Sequence, residues 1–251
     1  MNEVNHILSN FEPISLDEIG DYRLMNRIDT KFIFHREKLI DVLKSLVEYY
    51  FVLEINNQRA SKYESLYYDT EDFRFYKNHH NKKDHRLKIR KRSYVESDSH
   101  FLEVKEKRKG RTVKSRIPIR ESNEVLDGEK CSFLENYFEN TASLEPKLKN
   151  YYNRITLISK NKKERLTLDL SLGFEWRKTK ENLEQVVIAE LKQERIDHSS
   201  VFFNVMKEFN IRPYRISKYC IGTLLIHGKE KVKYNRFKEK ILTLRKIQND
   251  I

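Results

Sequence analysis

Apolar and polar residues alternate along several segments of the chain, which is the pattern of β-strands with two chemically different faces. In the segment LKIRKRSY, Leu87 and Ile89 share one face. Lys88, Arg90 and Arg92 share the other face. We predict strands there and in RIDTKFIF at 27–34, FLEVKEKR at 101–108, TVKSRIPI at 112–119, YYNRITLI at 151–158, RLTLDLSL at 165–172 and VVIAELK at 186–192.

Helical spacing of apolar residues separates these strands. It predicts helices over residues 2–11, 15–23, 36–50, 130–140 and 199–210, with the 36–50 helix packed outside the sheet. The basic stretch 229–250 carries Val232, Phe237, Ile241 and Leu244. An amphipathic helix that caps the sheet is favoured there over a helix on a membrane surface, although basic amphipathic helices serve both purposes.

Basic residues dominate the polar faces of the predicted strands. For one strand a solvated face is a sufficient explanation. Like charges opposite each other across strands are destabilising, however, so stability alone does not favour the repeated pattern. The chain has 50 lysines and arginines, 38 acidic residues and a formal net charge of +12. These features predict a polyanionic partner: nucleic acid, an anionic membrane or polyphosphate.

The remaining composition narrows the protein class. Cys131 and Cys220 are the only cysteines, and the sequence has no CxxC pair or Cys/His cluster typical of a zinc site. It has neither an apolar run of membrane-spanning length nor a signal-peptide pattern, so we expect a cytoplasmic protein. The 6 Gly and 4 Pro are scattered, which favours one domain over 1–251 with a core at about 23–226 and a C-terminal basic helix at 227–251.

Nine short motifs occur in order along the chain. They are RIDTKFIFH at 27–35, SLYYDT at 65–70, KIRKRSY at 88–94, LEVKEK at 102–107, VKSR at 113–116, YYNR at 151–154, RLTLD at 165–169, AELK at 189–192 and ISKY at 216–219. No single motif is specific, but the ordered series resembles the polyphosphate polymerase domain of the vacuolar transporter chaperone (VTC) family. That family lies within the triphosphate tunnel metalloenzyme (CYTH-like) superfamily.

The resemblance implies an α+β fold, an eight-stranded antiparallel β-barrel tunnel with flanking helices. It places SLYYDT in a turn after the second strand and ISKY in a turn near the end. It also implies a bore that binds phosphates with Mn²⁺ or Mg²⁺. Wider superfamily members carry Glu-x-Glu-x-Lys on the first strand, where this chain has Arg27, Asp29 and Lys31. This departure favours the polymerase branch over the triphosphatases and disfavours a two-metal site.

The resemblance also supplies candidate site residues, and their chemistry suits phosphates. Arginine binds phosphate oxygens in bidentate fashion, and lysine acts as a point charge. The candidate catalytic residues are Lys31, Arg90, Arg92, Lys105, Arg154 and Lys218. The further candidate phosphate-binding residues are Lys88, Lys114, Arg116, Tyr152, Arg165, Lys192 and Ser217.

Glu190 is the candidate metal ligand. A carboxylate in a cationic bore either holds Mg²⁺ or Mn²⁺ or pairs with a lysine, and the resemblance favours the metal. Glu103, Asp29 and Asp169 are possible further ligands, but salt bridges explain them equally well. The histidines of NHHNKKDH at 78–85 are predicted to lie in a polar loop.

One function leads among four hypotheses. It is a phosphotransferase that moves the γ-phosphoryl group of ATP onto polyphosphate, so that ATP, triphosphate and polyphosphate are the expected partners. The alternatives are a hydrolase of inorganic or nucleoside triphosphate and a non-catalytic polyphosphate-binding module. A nucleic-acid binder is disfavoured because the strands lack an aromatic stacking platform. The resemblance implies membrane-spanning partners in eukaryotic relatives, so any membrane link would come from another protein.

Overall fold

The alternating segments form the strands of one curled sheet in the computed structural model, which describes residues 2–19, 27–120 and 125–249. The strands are β1 (Pro13–Ile14), β2 (Ile28–His35), β3 (Tyr50–Leu53), β4 (Ala60–Thr70), β5 (Arg86–Tyr94), β6 (Ser99–Arg108), β7 (Arg111–Ile119), β8 (Leu144–Ser159), β9 (Glu164–Trp176), β10 (Thr179–Leu183) and β11 (Val186–Gln193). Each predicted strand is therefore present.

Eight strands form the main path of the sheet, in the order β2-β11-β9-β8-β4-β5-β6-β7. Every pair along this path is antiparallel. Outside the path, β3 pairs with β8, β10 pairs with β9, and β1 pairs with β3. The predicted eight-stranded antiparallel tunnel is confirmed, but a fully closed barrel is not. Within the described residues, β2 and β7 form no ladder with each other, so the sheet curls without joining.

Seven α-helices flank or enter the curl in the described residues. They are α1 (Asn2–Leu8), α2 (Leu39–Lys44), α3 (Arg74–His80), α4 (Gly128–Glu135), α5 (Val201–Glu208), α6 (Lys218–Lys231) and α7 (Lys238–Asn249). The helix predicted over 36–50 is shortened to α2, because a 3₁₀ turn precedes it and the buried Tyr50 begins β3. Residues 16–17 form a turn and 18–19 are 3₁₀ helix where an α-helix was predicted over 15–23, and 20–23 lie outside the described residues.

The apolar faces of the strands form two cores on the outside of the curl. On one side, Leu166 and Leu168 of β9 and Phe32 of β2 pack with residues of α1, α2 and α5. On the other side, Ile89 of β5 and Val104 of β6 pack with residues of α3 and α4. Burial of one large aliphatic side chain contributes roughly 1.5–3 kcal/mol. These outer cores therefore stabilise the sheet and leave part of its inner face to charged residues.

Helix α6 packs in a third core together with inner-face residues of the sheet. Its Cys220, Ile221 and Leu224 share this core with Leu148 of β8 and Phe174 of β9. The sequence predicted only a turn at 216–219, whereas these residues lead into a helix of 14 residues. Its buried apolar side chains hold the start of the helix at the inner face of the sheet.

Asp69 anchors two helices to the end of β4. Its carboxylate accepts hydrogen bonds from the backbone N–H of Phe75 at 2.8 Å and of Tyr76 at 2.9 Å, both in α3. The Tyr219 hydroxyl of α6 donates to the same carboxylate. Residues 65–70 are thus strand, not the predicted turn, because β4 continues to the residue after Asp69.

The histidine-rich segment differs from its prediction as a polar loop. His79 and His80 end helix α3, since the buried Phe75 and Tyr76 anchor that helix to the protein. His80 is buried, and His85 is exposed with its Nε2 2.7 Å from a Glu106 oxygen.

The predicted C-terminal basic helix is split into two parts. The end of α6 is kinked at Gly228, and α7 follows after a 3₁₀ turn. Val232 and Leu244 are buried in the same core as α6, so this stretch packs on the protein. None of the helices in the described residues is both long and apolar enough to cross a membrane.

Candidate functional site

Basic side chains from the inner face of the sheet reach a common space around the start of α6. Lys88 of β5 donates to the Ser217 Oγ at 3.0 Å, and Lys218 donates to Asp169 of β9. Strands β8 and β4 separate β5 from β9 in the sheet. Both strands can reach one helical turn only because the sheet curls around it. We call the enclosed space the bore.

Three cations of the bore surround one buried carboxylate, Glu103. Arg90 donates to it from Nε at 2.8 Å, Lys114 donates to its other oxygen, and the Arg92 Nε lies 3.9 Å away. Burial alone would raise the pKa of Glu103, but these three charges lower it to about 2. Glu103 therefore stays ionised and balances part of the positive charge on β5 and β7.

A second buried carboxylate, Asp169, orients two further candidates. Arg154 binds it in bidentate fashion, with Nε to Oδ1 at 2.6 Å and a terminal nitrogen to Oδ2 at 2.8 Å. Lys218 donates to the same oxygen Oδ2. Burial opposes ionisation, yet the two cations hold the pKa of Asp169 well below its usual range. The pairing fixes both cations in place, which suits a preorganised phosphate site.

The face of the Tyr152 ring contacts the Arg154 and Lys218 side chains. It is 2% exposed and stacks on Tyr63 with ring centroids 5.5 Å apart. The Lys218 Nζ lies 4.5 Å and the Arg154 guanidinium carbon 5.2 Å from its centroid. Cation–π contact of this kind is worth on the order of 0.5–2 kcal/mol. Tyr152 therefore contributes a ring face, a role that the sequence did not predict.

Glu190 lies between two lysines on the inner face. Its oxygens are 3.7 Å from the Lys31 Nζ and 3.6 Å from the Lys192 Nζ. Although burial acts in the opposite direction, Lys192 and Lys31 hold the pKa of Glu190 well below its usual range. Burial and the neighbouring Glu190 charge raise the pKa of Asp29. The two carboxylates thus lie close enough to interact.

This carboxylate pair fits a single divalent cation. Two adjacent carboxylates repel each other unless a proton or a cation lies between them, and Mg²⁺ and Mn²⁺ prefer oxygen ligands. No group of three or more His, Cys, Asp or Glu residues in the described parts of the chain is arranged to hold a metal. A cation at Glu190 and Asp29 would therefore take its remaining ligands from water and phosphate oxygens.

The other candidates occupy more varied positions. Burial lowers the pKa of Lys88 and of Lys192 to about 8. Lys105 is exposed and lies opposite Lys114 in the β6–β7 ladder. Arg165 is half-buried and lies opposite Lys192.

Two candidates have contacts that differ from direct phosphate binding. The Ser217 hydroxyl accepts from the Cys220 backbone N–H at 3.3 Å and so caps α6. Arg116 is exposed, with its guanidinium carbon 4.3 Å from the centre of the Phe101 ring. These two residues lie at the margin of the ion-pair clusters described above.

Two tyrosines of the bore are not among the residues predicted from the sequence. Tyr67 accepts a hydrogen bond from a terminal nitrogen of Arg90 at 3.0 Å, and the Arg154 guanidinium carbon lies 4.9 Å from the centre of the Tyr63 ring. Tyr63, Ser65 and Tyr67 alternate with outward residues along β4. This period of two was the available signal, although it gives no sign that tyrosines line a cationic space.

A curled antiparallel sheet around an inner basic bore defines the triphosphate tunnel class of folds. The profile of the VTC domain family matches residues 26–227, and the chain belongs to this family. No curated protein matches the sequence significantly.

Solved structures show the same fold at low sequence identity. A candidate adenylate cyclase from Bacillus halodurans is 14% identical, with a TM-score of 0.53 over 85% of this chain and 97% of that one. A candidate adenylyl cyclase from Hippeastrum with dominant triphosphatase activity is 11% identical. Its TM-score is 0.53 over 78% of this chain and 94% of that one. At these identities the likeness supports the fold alone.

Proposed function

We propose that this protein is a phosphotransferase that moves the γ-phosphoryl group of ATP onto the end of a polyphosphate chain. The observation that supports the proposal is the convergence of cations from several strands and from α6 on one bore, in a VTC domain. In the proposal, the phosphates contact Lys31, Arg90, Arg92, Lys105, Arg154 and Lys218, with Lys88, Lys114, Arg116, Arg165, Lys192, Tyr152 and Ser217 in support.

The proposed reaction requires positioning and charge neutralisation more than covalent chemistry. A terminal oxygen of the polyphosphate chain attacks the γ-phosphorus of ATP, and the bond to the β,γ-bridging oxygen breaks. ADP leaves with the bonding electrons, and the chain gains one phosphate. Arg154 and Lys218, held by Asp169, would neutralise charge on the equatorial oxygens.

In this proposal Glu190 and Asp29 would hold one Mn²⁺ or Mg²⁺ ion. Such an ion, when bound, lowers the negative charge of the phosphate oxygens that it contacts. The flanking Lys31 and Lys192 hold Glu190 in its ionised form, which is the form that binds a metal.

A polymerisation assay tests the proposed function. Purified protein, ATP and Mn²⁺ with a pyrophosphate primer should yield polyphosphate and one ADP for each phosphate added. Glu190→Gln should lower turnover more than 100-fold while tripolyphosphate binding in metal-free buffer persists, because metal-assisted charge neutralisation is worth several kcal/mol. Glu106→Gln is the matched control. Glu106 lies on the outer face of β6, away from the bore, so this variant should retain wild-type turnover.

Hydrolysis of triphosphate is the second candidate function, favoured by the triphosphatase activity of the Hippeastrum neighbour. In that reaction water replaces the polyphosphate end as the attacking group. Release of orthophosphate without any longer chain would support the hydrolase and contradict the polymerase. Binding of tripolyphosphate without either product would contradict both enzymes and support a binding module.

A further inference from the structure

Three polar residues of neighbouring strands lie side by side in the wall of the bore, and we call them the wall cluster. Ser65 of β4 has Arg92 of β5 on one side and Asn150 of β8 on the other, all on the inner face. Along β4, the inner-face neighbours of Ser65 are the large residues Tyr63 and Tyr67. Ser65 is therefore a short polar side chain between two large aromatic ones on this face of β4.

All three residues of the wall cluster carry a polar atom without a hydrogen-bond partner among the described residues. Ser65 is 1% exposed, Arg92 7% and Asn150 0%. Within the described part of the protein, Ser65 Oγ, Arg92 Nε and Asn150 Oδ1 are buried and have no hydrogen-bond partner. Buried polar atoms without partners are rare and unfavourable. Three of them side by side indicate one shared ligand.

The chemistry of the three atoms defines that ligand. Arg92 Nε can only donate a hydrogen bond. Asn150 Oδ1 is an amide oxygen and can only accept, and the donation of the amide nitrogen to the Gly173 carbonyl at 2.9 Å fixes which of the two atoms is the oxygen. The ligand must therefore accept from one side and donate to the other. An ionised phosphate oxygen cannot donate, whereas a water molecule does both and commonly bridges about three buried polar groups.

We propose that Ser65, Asn150 and Arg92 bind one buried water, through which Ser65 and Asn150 act as positioning residues for Arg92. The contacts of Arg92 support this assignment. Its Nε lies 3.9 Å from Glu103, beyond hydrogen-bond distance, and its guanidinium carbon is 5.7 Å from the centre of the Tyr63 ring. The water ties the Nε side to the wall, and the terminal nitrogens are then the groups presented to phosphate.

A double-mutant cycle on tripolyphosphate affinity tests the positioning role, which rests on the proposed phosphate-binding function. Ser65→Ala should weaken binding about 3- to 10-fold, the loss of one water-mediated hydrogen bond network. Arg92→Lys removes the Nε donor, so adding Ser65→Ala to it should cause no further loss. Ser61→Ala is the control, because Ser61 lies on the same face of β4 opposite Arg154, which Asp169 already holds.

The outcomes separate this inference from the proposed function. Additive losses of tripolyphosphate affinity in the cycle, or no loss of affinity in Ser65→Ala, would overturn the positioning role. The proposed phosphate site would still stand in that case, because the wild-type protein binds tripolyphosphate. Absence of wild-type binding would instead overturn the proposed function. A crystal structure of the wild-type protein that resolves ordered water gives an independent test. This test remains available if Ser65→Ala does not fold. Water within hydrogen-bond distance of the three atoms supports the site, and a wall cluster without such a water overturns it.

Discussion

At the residue scale, each inner carboxylate works as a counter-charge for several cations. Glu103 contacts Arg90 and Lys114, and Asp169 contacts Arg154 and Lys218. Ion pairs of this kind offset the repulsion among the basic residues without neutralising all of them. The bore therefore keeps an excess of positive charge that a polyanion can balance.

We expect phosphate binding to weaken above pH 8 because of Lys88. Burial lowers its pKa from 10.5 to about 8, so the free protein loses this charge as pH rises through 8. Tripolyphosphate favours the protonated form, and the affinity should fall by up to about tenfold per pH unit for each such lysine. Calorimetric titrations between pH 7 and 9.5 measure the slope.

The control for this pH dependence is Lys88→Arg, which stays charged throughout the range. Its slope should be shallower than that of wild type but not zero, because burial lowers the Lys192 pKa to the same value. An affinity that stays constant from pH 7 to 9.5 in wild type would contradict the prediction. The free energy of unfolding changes in the opposite direction. Because the Lys88 pKa is lower in the folded protein than in the unfolded chain, the ligand-free protein becomes more stable as pH rises from about 8 to 10.5.

At the element scale, α6 is the part of the site that depends most on packing. Gly222 lies at its centre, and a Cβ there would come within 2.4 Å of Phe174 Cδ1 and 2.8 Å of Leu148 Cδ2. Glycine thus allows the helix to lie directly against β8 and β9. The position of Lys218 and Ser217 in the bore follows from this close contact.

Gly222→Ala should therefore loosen both the fold and the site. We expect a loss of about 1–3 kcal/mol in unfolding free energy, the usual range for overpacking. We also expect weaker tripolyphosphate binding, because a displaced α6 moves Lys218 away from Asp169. Chemical denaturation and calorimetry measure the two effects. Lys229→Ala, exposed near the end of α6, should change neither; equal behaviour of the two variants would refute the argument.

The sequence predicted strands better than it predicted α6. Alternation in LKIRKRSY and RLTLDLSL was sufficient to predict β-strands, because one face is rich in leucine or isoleucine and the other face is charged. Helix α6 is buried on most sides, so its residues show no amphipathic stripe. A turn was therefore predicted at 216–219 from the resemblance of the ISKY motif, and the helix was not predicted. The pairing of Lys218 with Asp169 could not be predicted from the sequence, since it depends on how α6 enters the curled sheet.

At the scale of the whole molecule, the inner charges make stability depend on the ligand. The net charge is +12, and Lys105 lies directly opposite Lys114 across β6 and β7. Like charges in such positions destabilise the folded state. We expect a bound polyanion to relieve this repulsion and to bind the folded chain, where the cations converge, more tightly than the unfolded chain, so it should stabilise the protein.

Tripolyphosphate should raise the melting temperature, and salt should reduce the effect. A concentration about 100 times the Kd adds about 2.7 kcal/mol, or roughly 5–10 °C for a chain of this size. Raising NaCl from 50 to about 500 mM shortens the Debye length and should remove much of the shift. Thermal unfolding with orthophosphate at equal ionic strength is the control. A shift as large with orthophosphate would show that no extended chain is recognised.

The free edge of β7 has a further consequence for the protein in solution. Within the described residues this strand pairs only with β6, so a row of backbone donors and acceptors faces outward. Edges of this kind recruit strands from other molecules unless charge or proline prevents it. Here Arg111, Lys114, Arg116 and Pro118 occupy the edge strand. Lys114 and Arg116 are also candidate phosphate contacts, so we expect that neutralising the positive charges of this strand would favour self-association.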